Sequence, residues 1–181
     1  VPEMGAMPQR LLGNITVRDF EWPALLGAGL AWRPTERLLL VADVREVYWA
    51  AVMQNFNLRF VASDATSNGM FAGQDLDAQL YQNWKDQTVV QLGFAYELTS
   101  AFTLRGGFNH GDDPIPDAYL NCLFPATVED HVTAGLGWGL SPRSSLDLSF
   151  TYGLEHEVTN AAGVTVSHKQ TNLQLLYSHR F

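Results

Sequence analysis

The stretch that decides the fold is residues 87–110, QTVVQLGFAYELTSAFTLRGGFNH. Two alternating runs flank the four-residue turn at 98–101, and in both runs every second residue is mostly large and apolar. The residues between them are small or polar. Because successive side chains of a strand point to opposite faces, this pattern predicts a β-hairpin with one apolar face and one mixed face. The apolar face can lie against a protein core or against lipid, and the rest of the chain decides between them.

The composition excludes several classes of protein. The 181 residues are 46% hydrophobic but only 17% charged, whereas soluble domains are about a quarter charged. The net charge of −8 argues against a nucleic-acid partner, which would need a basic patch. No run approaches 18 apolar residues, so no transmembrane helix is predicted. The single cysteine, Cys122, excludes an internal disulfide framework, and the start at Val1 without Met leads us to expect a processed or partial chain.

Alternation of the same kind extends on both sides of the hairpin. We expect residues 1–10 to be loop and residues 11–33 to form one strand kinked at Pro23, with two short strands as the alternative. Further strands are predicted at 37–61, 80–98, 102–110, 129–140, 145–155 and 169–181. Long loops are predicted at 62–79, 111–128 and 156–168.

The predicted connections alternate in length. Those near residues 34, 99 and 142 are short, and those near 70, 119 and 162 are long. Transmembrane barrels have short periplasmic turns and long external loops. Each apolar face has about five positions, which suits a strand crossing a tilted hydrocarbon band. Aromatic residues near the short turns match an interfacial girdle: Trp32, Tyr96, Phe102, Trp138 and Phe181. We therefore predict that the apolar face contacts lipid.

Charged residues on the opposite face support this prediction. They are Asp43, Arg45, Glu97, Arg105, Asp147 and Glu155. In a soluble core, a buried charge without its partner costs on the order of 3–5 kcal/mol. Inside a wide barrel the same residues face water, and this cost largely disappears. The pattern therefore disfavours a soluble lipocalin-like barrel, whose apolar residues would face inward.

Several short segments resemble the FadL/TodX family of outer-membrane transporters for hydrophobic compounds. They follow in family order: NWKD at 83–86, GFAY at 93–96, FTLRGGF at 102–108, PIP at 114–116, FPA at 124–126, DH at 130–131 and GLGW at 135–138, with Phe181 at the end. No single segment is specific alone. Their order and spacing over residues 11–181 carry the resemblance.

The resemblance implies an all-β fold, a transmembrane antiparallel β-barrel of fourteen strands plugged by an N-terminal hatch. Residues 1–181 are then the C-terminal portion of one barrel domain, with loop at 1–10 and seven to eight strands and external loops at 11–181. Half a barrel leaves two unpaired strand edges, which hydrocarbon does not tolerate. We therefore expect a fragment, with an independent eight-stranded barrel as the alternative.

The function implied by the resemblance is passive transport of long-chain fatty acids or other hydrophobic small molecules across the bacterial outer membrane. No cofactor and no enzymatic reaction are implied. The implied partners are a hydrophobic ligand, membrane lipid, lipopolysaccharide and the barrel assembly machinery, and nucleic acid is not among them. The alternative is a non-transport barrel, structural or adhesive, that binds a partner through its long external loops.

Three candidate ligand contacts lie on the predicted inner face: Arg45, Trp49 and Arg105. A cation beside an apolar wall suits the carboxylate head group of a ligand. The alternative is that both arginines form ion pairs with neighbouring acids in the lumen.

Four further candidates lie towards the long connections. Trp84 and Lys85 precede the central hairpin, where they either shape a ligand groove or cap the strand. Phe56 and Phe60 belong to an apolar group in or beside an external loop. Exposed apolar clusters often mark binding sites, and packing within the loop is the alternative.

Metal and catalytic sites are not predicted. The stretch 110–113 carries carboxylates but lacks the spacing of a calcium loop, and 129–131 has no cysteine or second spaced histidine for zinc. Ser167, His156 and His168 supply residue types of a serine hydrolase, but no local nucleophile context accompanies them.

Overall fold

The computed structural model describes residues 11–121, 125 and 127–181 of the chain. These residues form ten β-strands: β1 (Gly13–Arg18), β2 (Leu25–Thr35), β3 (Leu38–Val47), β4 (Asn55–Ala62), β5 (Asp75–Tyr81), β6 (Gln87–Glu97), β7 (Phe102–Gly111), β8 (Asp130–Ser141), β9 (Ser144–Thr159) and β10 (Thr165–His179). Short 3-10 helices lie at Trp49–Ala51, Thr66–Phe71 and Asp117–Tyr119. In the ranges described, no helix has both the length and the apolar character needed to cross a membrane.

Seven strands form one antiparallel sheet in the order β2-β3-β6-β7-β8-β9-β10. The register aligns the apolar residues of neighbouring strands, since Leu40 pairs with Phe94, and Leu136 pairs with both Leu104 and Leu148. This confirms the all-β fold. Large side chains on the apolar face are exposed, Leu173 to 70%. Among the described strands, β2 and β10 each have one neighbour, so the sheet is open at both edges.

The predicted central hairpin is β6 and β7. Val90 pairs with His110 and Gly93 pairs with Gly107, so the apolar residues of the two strands share one face. The turn between them is closed by Thr99, whose hydroxyl oxygen accepts hydrogen bonds from the backbone N–H groups of Ala101 at 3.2 Å and Phe102 at 3.1 Å. A threonine hydroxyl that satisfies the turn backbone stabilises this tight connection.

Aromatic side chains collect at the short-turn end of the sheet. Phe102 and Trp138, on adjacent strands, stack with ring centroids 5.6 Å apart. Trp32 and Tyr96 lie on the same face and are exposed. This arrangement matches the predicted interfacial girdle.

The prediction of one kinked strand over 11–33 is wrong. Residues 13–18 form β1, which pairs with β4, whereas β2 pairs with β3 in the large sheet. Two residues between β1 and β2 interrupt the strand. Asp19 adopts a φ of 55°, outside the strand region, and Pro23 has no N–H to donate.

A small three-stranded sheet, β1-β4-β5, therefore stands apart from the large one. Its apolar face aligns Ile15, Phe60 and Leu76. On the opposite face Arg59 forms an ion pair with Asp75. The total of ten strands exceeds the predicted seven or eight because the long connection between β3 and β6 contains two strands of its own.

The predicted strands 37–61 and 80–98 are too long. β3 ends at Val47, the 3-10 helix Trp49–Ala51 follows, and β4 begins only at Asn55. Similarly, β6 begins at Gln87, because Asn83 has a φ of 47° and ends the preceding strand region. The predicted loop 62–79 is wrong in its last part, which is β5.

The predicted loop at 156–168 is also wrong. β9 and β10 continue as a hairpin to Thr159 and Thr165, and the connection has five residues. Gly163 takes a left-handed φ of 77°, and the Asn160 side chain accepts hydrogen bonds from the N–H groups of Ala162 and Val164. This hairpin extends beyond the last β8–β9 pair, His131 with Gly153.

A β-bulge near the C-terminal end of β9 changes the face of the sheet on which the following side chains lie. Gly153 pairs with Gln170 and His156 pairs with His168, so Leu154 and Glu155 stand opposite the single residue Lys169. An extra residue reverses the alternation beyond it. Glu155, predicted on the mixed face, instead accepts a hydrogen bond from the Ser167 hydroxyl at 2.6 Å and lies 3.8 Å from the Lys169 ammonium.

The buried core lies at the long-loop end of the sheet. We call it the loop-end cluster; it consists of Met53, Trp84, Ile115, Leu120 and Val158, with Trp49, Val52, Phe56 and Val166 packed against it. It joins the β3–β6 connection, the β7–β8 connection and the β9–β10 hairpin. The predicted loop 1–10, Cys122 and the Phe124 and Ala126 positions of the FPA segment lie outside the described residues.

Candidate ligand-binding site

Arg105 and Asp147 form an ion pair on the mixed face of the large sheet. Arg105 Nη1 lies 2.8 Å from Asp147 Oδ1, and the pair bridges β7 and β9 across the intervening strand β8. Both side chains are partly exposed, Arg105 to 48% and Asp147 to 34%. An ion pair of this exposure contributes at most about 1 kcal/mol to stability. It holds the guanidinium over the neighbouring strand β8.

Gly137 of β8 lies directly beneath this ion pair. A Cβ at this position would lie 2.9 Å from Arg105 Nη1, closer than real Cβ atoms approach, and 3.0 Å from Asp147 Oδ1. Gly137 is itself buried beneath the two side chains. Its lack of a side chain therefore allows Arg105 to reach Asp147 across a whole strand.

A shallow groove of about 400 Å³ lies beside Arg105 on the same sheet. Its floor includes the paired glycines Gly93 and Gly107, and Val41 and Thr133 stand on either side of them. Because neither glycine has a side chain, the backbone of the sheet is exposed to the groove at this point. The groove thus offers apolar and polar surface but little charge, apart from Asp43 and the neutralised Arg105.

Arg45, the second predicted cation, lies on β3 between Gly27 and Val89. A Cβ on Gly27 would lie 3.1 Å from Arg45 Cγ, so this arginine also lies across a glycine of its neighbour. Within the described ranges, no acidic group lies within ion-pair distance of it, and Asp43 is not its partner. The ion-pair alternative thus applies to Arg105 and not to Arg45.

Trp49 and Trp84 lie together in the loop-end cluster, with ring centroids 5.1 Å apart. Trp49 belongs to a 3-10 helix, which corrects its predicted position on a strand of the inner face. Its indole N–H donates to Gln87 Oε1 at 3.4 Å, and that of Trp84 donates to Gln82 Oε1 at 3.2 Å. Trp84 is 7% exposed. These contacts give both tryptophans a packing role in the cluster.

The two predicted phenylalanines both lie on β4 of the small sheet but have different contacts. Phe56 packs against the loop-end cluster and makes an edge contact with Phe20 at 6.2 Å. Phe60 lies between Ile15 and Leu76. The structure therefore does not bring the seven predicted residues into one site.

Lys85 lines a charged cleft of about 650 Å³ at the long-loop end, together with Asp113, Glu129, His156 and Glu157. Burial raises the pKa of the Asp113 carboxyl, while a hydrogen bond from the Ile115 N–H and the nearby His156 act in the opposite direction. Acids outnumber bases in this cleft, so an anion would meet more negative than positive side chains at the long-loop end of the sheet.

Several features that shape these surfaces were not predicted from the sequence. Asp147 was predicted only as a charge on the mixed face, and its ion pair with Arg105 over Gly137 becomes visible only when β7, β8 and β9 are placed in register. Gln82, which is fully buried, receives the Trp84 hydrogen bond, and among the residues that the structure describes its own Nε2 has no hydrogen-bond partner. Among the described residues there is no group of three or more side chains that could hold a metal ion.

An open, single-layer antiparallel sheet with one apolar face defines part of the wall of a membrane β-barrel. Residues 13–179 match the family described as outer membrane protein transport protein (OMPP1/FadL/TodX), and the chain belongs to this family. The resemblance and the expected location in the bacterial outer membrane are thereby confirmed. The family consists of transport proteins, in agreement with the prediction that the chain is not an enzyme.

Solved structures of several bacterial proteins are similar to this chain. The toluene transporter TodX of Pseudomonas putida is 32% identical, with a TM-score of 0.73 over 94% of this chain and 38% of its own. The toluene transporter TbuX of Ralstonia pickettii is 26% identical, with a TM-score of 0.70 over 93% of this chain and 36% of its own. A Pseudomonas aeruginosa FadL homologue shares the fold at 16% identity, with a TM-score of 0.60 over 84% of this chain and 33% of its own.

The chain thus spans little more than a third of the length of these proteins. No curated protein matched the chain.

Proposed function

We propose that this chain forms part of an outer-membrane channel through which hydrophobic small molecules pass passively. The observation that carries the proposal is the division of the large sheet into an apolar face and a mixed face with a groove over Gly93 and Gly107. In a closed barrel the apolar face contacts lipid and the mixed face lines the passage. Membership of the transport family supports the same function.

Two ligand classes follow from the sequence and from the comparisons. The first is long-chain fatty acids, whose carboxylate needs a cation. The second is uncharged aromatic hydrocarbons, because TodX and TbuX are toluene transporters. The mixed face favours the second class, since Arg105 is paired with Asp147 and the cleft around Lys85 is acidic. We therefore propose toluene-like compounds as the first ligands to test and fatty acids as the second.

The aromatic residues at the long-loop end of the sheet have a supporting role in ligand capture. Trp22 is 77% exposed beside Trp49, with ring centroids 6.3 Å apart. An exposed aromatic ring next to a buried aromatic cluster is a suitable first contact for an apolar ligand. Trp49, Phe56 and Trp84 would then hold this surface in place.

Uptake by cells tests the proposal. The complete protein is expressed in a strain that lacks its own transporters of this family, and uptake of labelled toluene and of a labelled long-chain fatty acid is measured. We expect uptake of at least one compound above the empty-vector strain. If the protein is present in the outer membrane and neither compound enters faster than in the vector control, the transport proposal fails, and the structural or adhesive alternative takes its place.

A further inference from the structure

On the basis of the proposed transport function, we propose that Asp147 sets the charge selectivity of the lumen by holding Arg105 against Gly137 and so withholding its guanidinium from carboxylate ligands. The favoured ligands are then uncharged hydrophobic molecules.

The geometry of the ion pair is the first argument. Arg105 crosses β8 to reach Asp147 at 2.8 Å, although Arg105 borders the groove and has free space towards it. Gly137 has no Cβ, which would otherwise meet both Arg105 Nη1 at 2.9 Å and Nη2 at 3.1 Å. A guanidinium fixed in this way is already neutralised by a carboxylate. A ligand carboxylate approaching it meets the negative charge of Asp147 as well.

The other charges of the mixed face are the second argument. Asp43 and Glu97 carry negative charge on the same face, and Arg45 carries positive charge. Arg37 adds a second positive charge beside Glu97, whose N–H donates to the Arg37 carbonyl. With Arg105 and Asp147 included, these six residues are three acids and three bases. This wall therefore has no excess of positive charge to attract an anion, whereas a neutral aromatic molecule needs only the apolar contact.

Two ligands with the same methyl-substituted ring test the inference: toluene, which is uncharged, and 4-methylbenzoate, which carries one additional carboxylate. The measured quantity is the ratio of 4-methylbenzoate uptake to toluene uptake by the complete protein. Asp147→Asn keeps the size of the side chain and removes the charge that pairs with the guanidinium, so we expect the ratio to rise about fivefold, which corresponds to the ~1 kcal/mol of a partly exposed ion pair. Gly137→Ala changes no charge but displaces the pair, and it should raise the ratio in the same direction.

Two controls separate this mechanism from a change in overall charge. Asp43→Asn removes the same charge from the same face without freeing an arginine, and it should change the ratio less than about twofold. The double variant Asp147→Asn with Arg105→Gln should return the ratio to that of the unmodified protein. A rise in Asp43→Asn as large as that in Asp147→Asn, or an unchanged ratio in Asp147→Asn, would overturn the inference.

A binding measurement keeps the inference separate from the transport proposal. Calorimetric titration of the purified complete protein with 4-methylbenzoate should give tighter binding for Asp147→Asn than for the unmodified protein. If no compound is transported but this difference appears, the transport proposal fails and the inference on Asp147 holds. If toluene is transported but the difference is absent, the inference fails alone.

Discussion

His156 and His168 are register partners on β9 and β10, and each donates a ring hydrogen bond to a carbonyl of the same loop. His156 Nδ1 lies 2.6 Å from the Thr127 carbonyl oxygen, and His168 Nδ1 lies 2.6 Å from that of Pro125. A carbonyl only accepts, so both Nδ1 atoms carry the proton. The two histidines therefore hold the end of the β7–β8 connection against the part of the β9–β10 hairpin that lies beyond the β-bulge.

Replacing either histidine by phenylalanine should loosen this connection. His156→Phe and His168→Phe each remove one hydrogen bond, at a cost of about 1 kcal/mol, and leave a carbonyl without its partner. Limited proteolysis of the folded protein should then cut the 112–129 segment several times faster. The control is His179→Phe, because His179 contacts Ser144 at the opposite end of the sheet. Equal cleavage rates in all three variants would refute the fastening role.

Asn68 connects the start of β1 to the β3–β6 connection. Its Oδ1 accepts a hydrogen bond from the Leu12 N–H, and its Nδ2 donates to the carbonyl oxygens of Leu12 and Ser63. The side chain is fully buried. Asn68→Asp keeps the shape but removes both donations, which should cost about 1–3 kcal/mol. Hydrogen exchange of β1 should become faster, while Gln79→Ala, at an exposed position of β5 in the same small sheet, should change it little.

The alternation of residues predicts the faces of the large sheet because side-chain direction has a period of two. Leu104 and Arg105 are therefore placed on the correct sides from the sequence alone. The same pattern cannot show where one strand ends, because alternation continues through Pro23 and through Trp49 while the chain leaves the large sheet. β5, with the sequence DLDAQLY, is polar and short, and its pairing with β4 is a tertiary contact.

The candidate site was predictable only in part, for a related reason. Arg105 is visible in the sequence as a charge on the mixed face. Its partner Asp147 lies 42 residues away and meets it only because β8 lies between them with a glycine at the crossing point. The bulge opposite Lys169, which moves Glu155 to the other face, has no signal in the alternation of β9.

The pH dependence of the outer loop should reflect Asp113. Burial raises the pKa of this carboxyl above its ordinary value of 3.8, so the folded state keeps the proton to higher pH than the unfolded state does. The folded state therefore loses stability as pH rises from 3.8 through the raised pKa, and the loss is complete at neutral pH. Asp113→Asn keeps an acceptor for the Ile115 N–H and removes this loss.

Hydrogen exchange of the Ile115 amide measures the effect. We expect better protection in Asp113→Asn than in the unmodified protein at about pH 7, and a smaller difference at about pH 4. Asp117→Asn removes a charge from the same loop as a control. Protection that falls at neutral pH in Asp113→Asn would show that the charge of Asp113 stabilises the loop.

Trp84 and Trp22 should differ in their effect on stability. Trp84 is buried in the loop-end cluster, and Trp84→Ala should lower the free energy of unfolding by about 3–5 kcal/mol. Trp22 is exposed, and Trp22→Ala should lower it by less than about 1 kcal/mol. Urea titration of the complete protein in micelles measures both. Similar losses for the two variants would contradict a buried structural role specific to Trp84.

The central claim is that the apolar face contacts lipid and the mixed face lines the passage. Val132 and Thr133 are consecutive residues of β8 on opposite faces, which suits a single test. Cysteines are introduced one at a time in a Cys122→Ser background, and cells are treated with a bulky, membrane-impermeant maleimide before toluene uptake is measured. The account predicts that Thr133→Cys is labelled and its uptake blocked, while Val132→Cys is neither labelled nor blocked. The opposite result, in which Val132→Cys is labelled and its toluene uptake is blocked while Thr133→Cys is unaffected, would contradict this claim.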